Sequence, residues 1–200
     1  MRPANEHPET PGRLVVVRHG STDWSSARRH TGRTDRPLSD DGEAEARELK
    51  RRLEAYEPGA VYSSPLRRAL DTCRLAGFGD GARIDADLVE WDYGEYEGLT
   101  FEQIQVQRPG WRLFDQGCPG GESPADVGVR ADRFLCRLRD DPALEGRDVL
   151  CFAHGHLLRV LAARWLDLSP AQGRLFELDA AGIGILDRKR LEPVIERWNI

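Results

Sequence analysis

The sequence predicts an α/β fold, a three-layer α/β/α sandwich with a mainly parallel central sheet. Two observations carry this reading. Residues 13–18 (RLVVVR) and 148–153 (DVLCFA) are short apolar runs of the kind needed by a strand buried on both faces. Between and after them, apolar residues recur at helical spacing, so strands alternate with helices along the chain. Two hundred residues, 40% hydrophobic and 32% charged, suit one globular domain with a core that needs no staples.

Residues 1–12 contain Pro3, Pro8 and Pro11 and no apolar run, and are expected to form a flexible tail, neither signal peptide nor anchor. The domain is expected over 13–200. Its first strand, 13–18, stops abruptly at His19-Gly20. A helix is expected from Ser39, with Ala46, Leu49, Leu53 and Tyr56 on one face and Pro58-Gly59 as its stop. A strand at 60–63 and a helix over about 66–76 follow, closed by the glycine-rich 77–82.

Residues 85–122 hold Glu90, Asp92, Glu95 and Glu97 among three aromatics, then the turn-rich GCPGGES. Only 101–107 reads as helical there. Such a stretch inside a compact domain is expected to act as a lid or substrate loop. A helix resumes after Ser123, with Val127, Ala131, Phe134, Leu135 and Leu138 on one face. The second buried strand, 148–153, ends at His154-Gly155-His156. A helix with Leu157, Leu158, Leu161 and Trp165 toward the core comes next. RLFELD, GIGILDR and PVIERW suggest two or three final strands, the Gly-x-Gly reading as close packing.

Composition excludes several classes. A net charge of −5 does not suit a nucleic-acid binder, whose affinity comes from neutralising phosphates. No apolar run approaches the roughly 20 residues of a membrane span. Cys73, Cys118, Cys136 and Cys151 form no C-x-x-C, which offers neither redox pair nor zinc knuckle and fits a reduced cytoplasmic protein. Lys50 and Lys189 are the only lysines among 29 basic residues, so any positive site is built from guanidinium, the better fork for phosphate or carboxylate. No dinucleotide or phosphate-loop glycine motif and no H-E-x-x-H is present, so neither cofactor nor metal is expected.

Both buried strands end in His-Gly. In open α/β sheets ligands bind beyond the carboxyl ends of the strands, which delivers His19 and His154 to that edge. Arg18 precedes His19, Thr22 and Ser25 follow it, and Arg67-Arg68 opens a helix. Imidazole among guanidinium groups stays neutral and keeps a lone pair. A neutral nucleophile surrounded by fixed cations suits attack on a phosphoryl group. A helix starting near Gly155 adds N–H donors. An alkoxide leaving phosphorus needs a proton, and Glu90, beside Trp91 and near Tyr93, has apolar surroundings that favour the protonated acid. Glu95 and Glu97 read as solvated loop acids.

RHGST, HTGRTDRPLSDDGEAEA, SSPLRRALDT, DLVEWDYGEYEG, GCPGGES and AHGHLLR occur in the order that marks the histidine phosphatase superfamily, also called phosphoglycerate-mutase-like. The chain resembles that family from about residue 14 to 165, and looks most like the branch holding sedoheptulose-bisphosphatases and small acid phosphatases. The resemblance implies His19 as the nucleophile that becomes phosphohistidine and Arg18 as a ligand of the transferring group. It selects Arg68 over Arg67, which is left as a solvated helix residue. It makes His154 the second histidine, lending hydrogen bonds and positive charge, and Glu90 the acid and later the base. Phosphate or substrate contacts would fall on Thr22, Ser25, Thr31, Gly32, Tyr93 and Gly155. Many relatives carry asparagine where Ser25 stands, and the shorter serine reaches less far.

The expected activity is metal-independent hydrolysis of small phosphorylated metabolites, sugar mono- or bisphosphates first, through phosphohistidine. A mutase-type phosphotransferase is the alternative. The separation of 64 positions from Glu90 to His154 is shorter than mutases use to cover their site. A non-catalytic phospho-ligand module would have lost the nucleophile or the acid, and both are present. Substrate and oligomeric state are not legible.

Overall fold

Strands β1 (Leu14–Arg18) and β4 (Val149–Ala153) run parallel at the centre of a six-stranded sheet, with Arg18 opposite Ala153. In this computed structural model, which describes residues 12–200, β2 (Ala60–Ser63) pairs parallel with β4, and β3 (Arg83–Ile84) parallel with β2. On the other side β5 (Ile183–Lys189) and β6 (Glu192–Arg197) add antiparallel, giving the order β3-β2-β4-β1-β5-β6. The sheet is mixed and mostly parallel.

Alternation along the central strands builds the three layers. Leu14, Val16, Val149 and Cys151 face one core, and Val15, Val17, Leu150 and Phe152 face the other. The first core is covered by α6 (Pro124–Arg139) and α7 (Gly155–Trp165), and the second by α2 (Asp40–Leu53) and α3 (Arg67–Leu75). Capping follows the sequence: Ser39 accepts from the Gly42 N–H, and Ser123 and Asp126 form a capping box ahead of α6.

Four expectations change. Helix α2 ends at Leu53, so Tyr56 leaves the helical face and stacks under the Arg13 guanidinium, in a turn that Pro58 follows. Residues 174–179 are no strand: the 177 and 178 carbonyls accept from the Trp198 indole and the Arg18 guanidinium, not from a neighbouring strand. The two-residue β3 was not foreseen, being too short to show a period. The expected tail at 1–12 lies outside the described residues up to residue 11, and Gly12 already donates to the Arg147 carbonyl at 2.9 Å.

The irregular 85–122 stretch carries α4 (Phe101–Gln107) as expected, and also a short α5 (Leu113–Gln116). It is packed, with Trp91, Tyr93, Tyr96, Trp111 and Phe114 all in the core. Glu122 latches it. Its carboxylate takes two bonds from Arg130 and one from the Asp92 N–H, while its backbone carbonyl accepts from Trp91 Nε1 at 2.9 Å. Gly121 is required there, since a Cβ would sit 2.2 Å from the Asp92 carbonyl oxygen.

Candidate active site

The parallel register of β1 and β4 places their last residues side by side, and the His19 N–H extends the ladder to the Ala153 carbonyl at 3.0 Å. The two imidazoles therefore meet at the carboxyl edge, with ring centroids 5.2 Å apart. Gly20 is there for space: a Cβ would lie 2.3 Å from the Gly42 carbonyl oxygen in the first turn of α2. This close approach turns the chain away from the strand and leaves His19 at its tip. Strand β2 brings in Ser64, and α3 brings in Arg68.

Hydrogen bonds fix the tautomers. His19 Nδ1 lies 2.6 Å from the Gly20 carbonyl, which can only accept, so Nδ1 carries the proton. Nε2 keeps its lone pair, has no protein partner and opens on a cavity. Burial, reinforced by the Arg68 and Arg18 guanidinium groups, holds the His19 pKa well below the usual histidine value. The neutral form of the imidazole is therefore favoured, as the sequence predicts for a histidine among guanidinium groups.

Arg68 is fully buried and spends most of its donors on protein. It donates from Nε to His154 Nδ1 at 3.2 Å, from Nη1 to the Thr34 carbonyl, and from Nη2 to the Thr31 and Gly32 carbonyls. Since Arg68 must be the donor, His154 Nδ1 is the acceptor, and Nε2 donates to Ser64 Oγ at 2.8 Å. Burial first, then Arg68, lowers the His154 pKa well below the usual value. Burial and Arg68 thus disfavour the positive charge that the sequence reading expects of His154.

Arg18 is different. Its Nη1 donates to the Leu178 carbonyl at 2.6 Å, while its Nε is the sole buried side-chain N or O without a partner among the described residues. Gly155 leaves room for it, a Cβ there standing 3.1 Å from that Nε. A buried orphan donor on a cation, beside a free imidazole lone pair, is a seat for an anion.

Glu90 lies against the first turn of α7. Oε1 accepts from the Trp91 and Leu157 N–H groups, both at 2.9 Å, and Oε2 from the His156 N–H at 3.2 Å. The sequence pictured a carboxyl amid apolar neighbours, whereas the structure also gives it backbone donors.

These groups adjoin a cavity of about 270 Å³, lined by Arg18, His19, Ser25, Thr31, Glu90, Tyr93 and Gly155 among the predicted residues. Arg68 and His154 stand directly behind this lining. Three predicted contacts are engaged elsewhere. Thr22 is buried and caps α1 (Asp23–Ser26), accepting from the Ser25 N–H, and Ser25 Oγ closes the same capping box. The Gly32 N–H donates to both oxygens of Glu97, which also accepts from the Thr34 N–H. Glu97 is therefore a clamp on the turn that positions Arg68, not a solvated acid. Glu95 is exposed, as expected. Arg67 is mostly exposed and pairs with Asp71, also as expected.

The sequence reading did not assign the outer wall. His30, His156 and Arg159 line it, with Tyr93 Oη 2.6 Å from His156 Nδ1 and Arg159 stacked on Phe114. His156 was visible in H-G-H, but only the fold shows that it turns toward Tyr93. Among the described residues no group of three or more His, Cys, Asp or Glu side chains could hold a metal ion, and no helix is long and apolar enough to cross a membrane.

A mostly parallel sheet with two histidines and an orphan arginine at its carboxyl edge defines an α/β protein with an arginine-lined cavity at the ends of its central strands. Residues 14–200 match the histidine phosphatase superfamily (branch 1), and the chain belongs to that family. It is 43% identical over 176 residues to an acid phosphatase of Mycobacterium tuberculosis, covering 86% of this chain and 85% of the relative. It is 35% identical over 190 residues to sedoheptulose 1,7-bisphosphatase of Saccharomyces cerevisiae (80% and 70%). A 2,3-bisphosphoglycerate-dependent phosphoglycerate mutase of Brucella anthropi is 33% identical over 198 residues (91% and 94%). The solved structure of a Mycobacterium tuberculosis open reading frame superposes with a TM-score of 0.89 at 39% identity, covering 94% of this chain and 97% of that one.

Proposed function

We propose that this protein is a metal-independent phosphatase that hydrolyses small phosphorylated metabolites, sugar mono- or bisphosphates first, through a phosphohistidine. The observation that carries this reading is one cavity lined both by His19, whose Nε2 lone pair is free, and by Arg18, whose Nε is without a partner. Nε2 attacks phosphorus in line and the ester oxygen leaves opposite it. Arg18, the α7 N-terminus at Gly155 and the remaining N–H of Arg68 receive the phosphoryl oxygens, supplying charge that a divalent cation supplies elsewhere.

Glu90, protonated in the complex, hands its proton to the departing alcohol. It then takes a proton from the water that cleaves the N–P bond, returning free imidazole and inorganic phosphate. A phosphate dianion beside Glu90 favours its protonated form. To donate to a phosphoryl oxygen, His154 gains a proton at Nδ1, which the phosphate dianion favours, and gives up the bond it accepts from Arg68. Thr31 and Tyr93 border the same cavity, and Thr22, Ser25 and Gly32 act by shaping its floor.

The decisive comparison is wild type against His19→Ala with p-nitrophenyl phosphate. Turnover is expected to fall by about 10⁴-fold or more, with acid-labile phosphate trapped on wild type only. Equal, negligible turnover in both proteins would indicate a binding module instead. The mutase relative keeps a second reading open. Incubation with 3-phosphoglycerate and catalytic 2,3-bisphosphoglycerate separates the two, since rapid isomerisation without phosphate release would replace hydrolysis by phosphotransfer.

A further inference from the structure

We infer that Arg28 is a specificity residue that binds a second anionic group, phosphate or carboxylate, on the non-transferred part of the substrate. The inference rests on the phosphatase reading and adds the chemical class of substrate.

The local backbone is the first argument. Helix α1 ends in a Schellman motif, with the Arg28 N–H on the Ser25 carbonyl at 3.0 Å and the Arg29 N–H on the Trp24 carbonyl at 2.9 Å. Arg28 occupies the left-handed position of that motif with φ of 54°. Glycine is the usual residue there, because a Cβ is penalised in this region. Six non-glycine residues of the described chain have positive φ, and Arg28 is the one that lines this cavity; strain of this kind gathers at functional sites.

The second argument is electrostatic. The cavity is lined by Arg18, Arg28, Arg29 and Arg159. Arg18 faces the transferring group through its orphan Nε. Arg159 is paired with Glu177 at 3.2 Å, and Arg29 donates to the Gly98 carbonyl at 2.7 Å. Of the two remaining rim acids, Asp179 accepts from Asn199 at 2.9 Å, and Glu90 is bound by backbone N–H groups. Among these cations only Arg28 has a side chain with no hydrogen bond or ion pair among the described residues, although its charge is felt by the Glu102 carboxylate. Arg28 is exposed and lines the cavity, following α1 in the chain where His19 precedes it. A free guanidinium fork there matches a carboxylate or phosphate that protrudes from a substrate whose other end is seated at Arg18.

The test compares matched substrates: 3-phosphoglycerate with glycerol 3-phosphate for a carboxylate, and a hexose bisphosphate with the same hexose monophosphate for a second phosphate. In Arg28→Gly, the kcat/KM preference for the doubly anionic member is expected to fall roughly three- to tenfold, mostly through KM. Wild type loses the same preference as salt is raised, and the variant does not. Loss confined to one pair identifies the second anion. The variant's Tm is expected to rise by about 2–4 °C, because glycine relieves the left-handed strain.

An unchanged preference in Arg28→Gly, or an equal loss across all substrates, overturns the inference while leaving the phosphatase reading intact. If wild type hydrolyses none of these esters, the phosphatase reading fails. Binding of 3-phosphoglycerate and glycerol 3-phosphate to His19→Ala, with and without Arg28→Gly, then judges Arg28 directly by calorimetry.

Discussion

The inner pole of the cavity and its outer wall are built on opposite principles. At the pole, His19, Arg68 and His154 are buried, the histidines at adjacent strand ends and Arg68 in the first turn of α3, where it is bonded to His154. The wall is assembled from residues far apart in the chain. His30 comes from the loop after α1, Tyr93 from the latched 85–122 stretch, His156 from α7 and Glu177 from the segment before β5. Rigid sheet geometry sets the reacting groups, where small displacements are costly, and loops set what else the substrate must carry.

That contrast breaks first at Arg68. Lysine keeps the charge but cannot donate at once to His154 and to the carbonyls of Thr31, Gly32 and Thr34. Arg68→Lys is expected to cost about 2–4 kcal/mol of stability and to lower kcat/KM by roughly 10²–10³-fold. Chemical denaturation and p-nitrophenyl phosphate kinetics read both; near-wild-type values would mean the pole is not wired through this guanidinium.

Glu90 stands where pole and wall join. Glu90→Gln is expected to slow hydrolysis of alkyl phosphates about 10–100-fold more than that of p-nitrophenyl phosphate, whose leaving group needs no proton. Equal slowing of both classes would leave Glu90 a structural anchor for the first turn of α7.

A smaller effect concerns acid pH. Burial holds His19, His154 and His156 well below their usual pKa, so below about pH 6.5 the unfolded chain binds protons that the folded chain refuses. Stability from these groups is complete above that pH and falls as pH drops, by up to about 1.4 kcal/mol per pH unit for each. His156→Gln removes one such group from the wall and is expected to flatten the decline between pH 6.5 and 5 measured by urea unfolding. A slope identical to wild type would show that His156 does not contribute.

The pole was largely legible beforehand because its signals are local. An apolar run followed by His-Gly places a side chain at a strand end whatever the rest of the fold does, and twice over it marks His19 and His154. Arg68 needed the family resemblance, since Arg67 is its equal in sequence. Glu97 and Glu122 were missed as positioning residues because nothing distinguishes an acid that clamps backbone N–H groups from a solvated one until the turn it clamps is in place. Thr22 and Ser25, read as substrate contacts, have hydroxyls that serve the cap of α1, a use the sequence reading did not assign them.

The sequence by itself determined the layering of the fold and the two histidines at the sheet edge, because side-chain periodicity and strand-end placement are short-range properties. Only the tertiary structure decided which ring nitrogen of each histidine is free, which arginine is left unpaired and which acids are spent on backbone. Those outcomes depend on donors and acceptors that are distant along the chain, and a hydrogen bond exists only once both partners have been brought within 3 Å or so of each other.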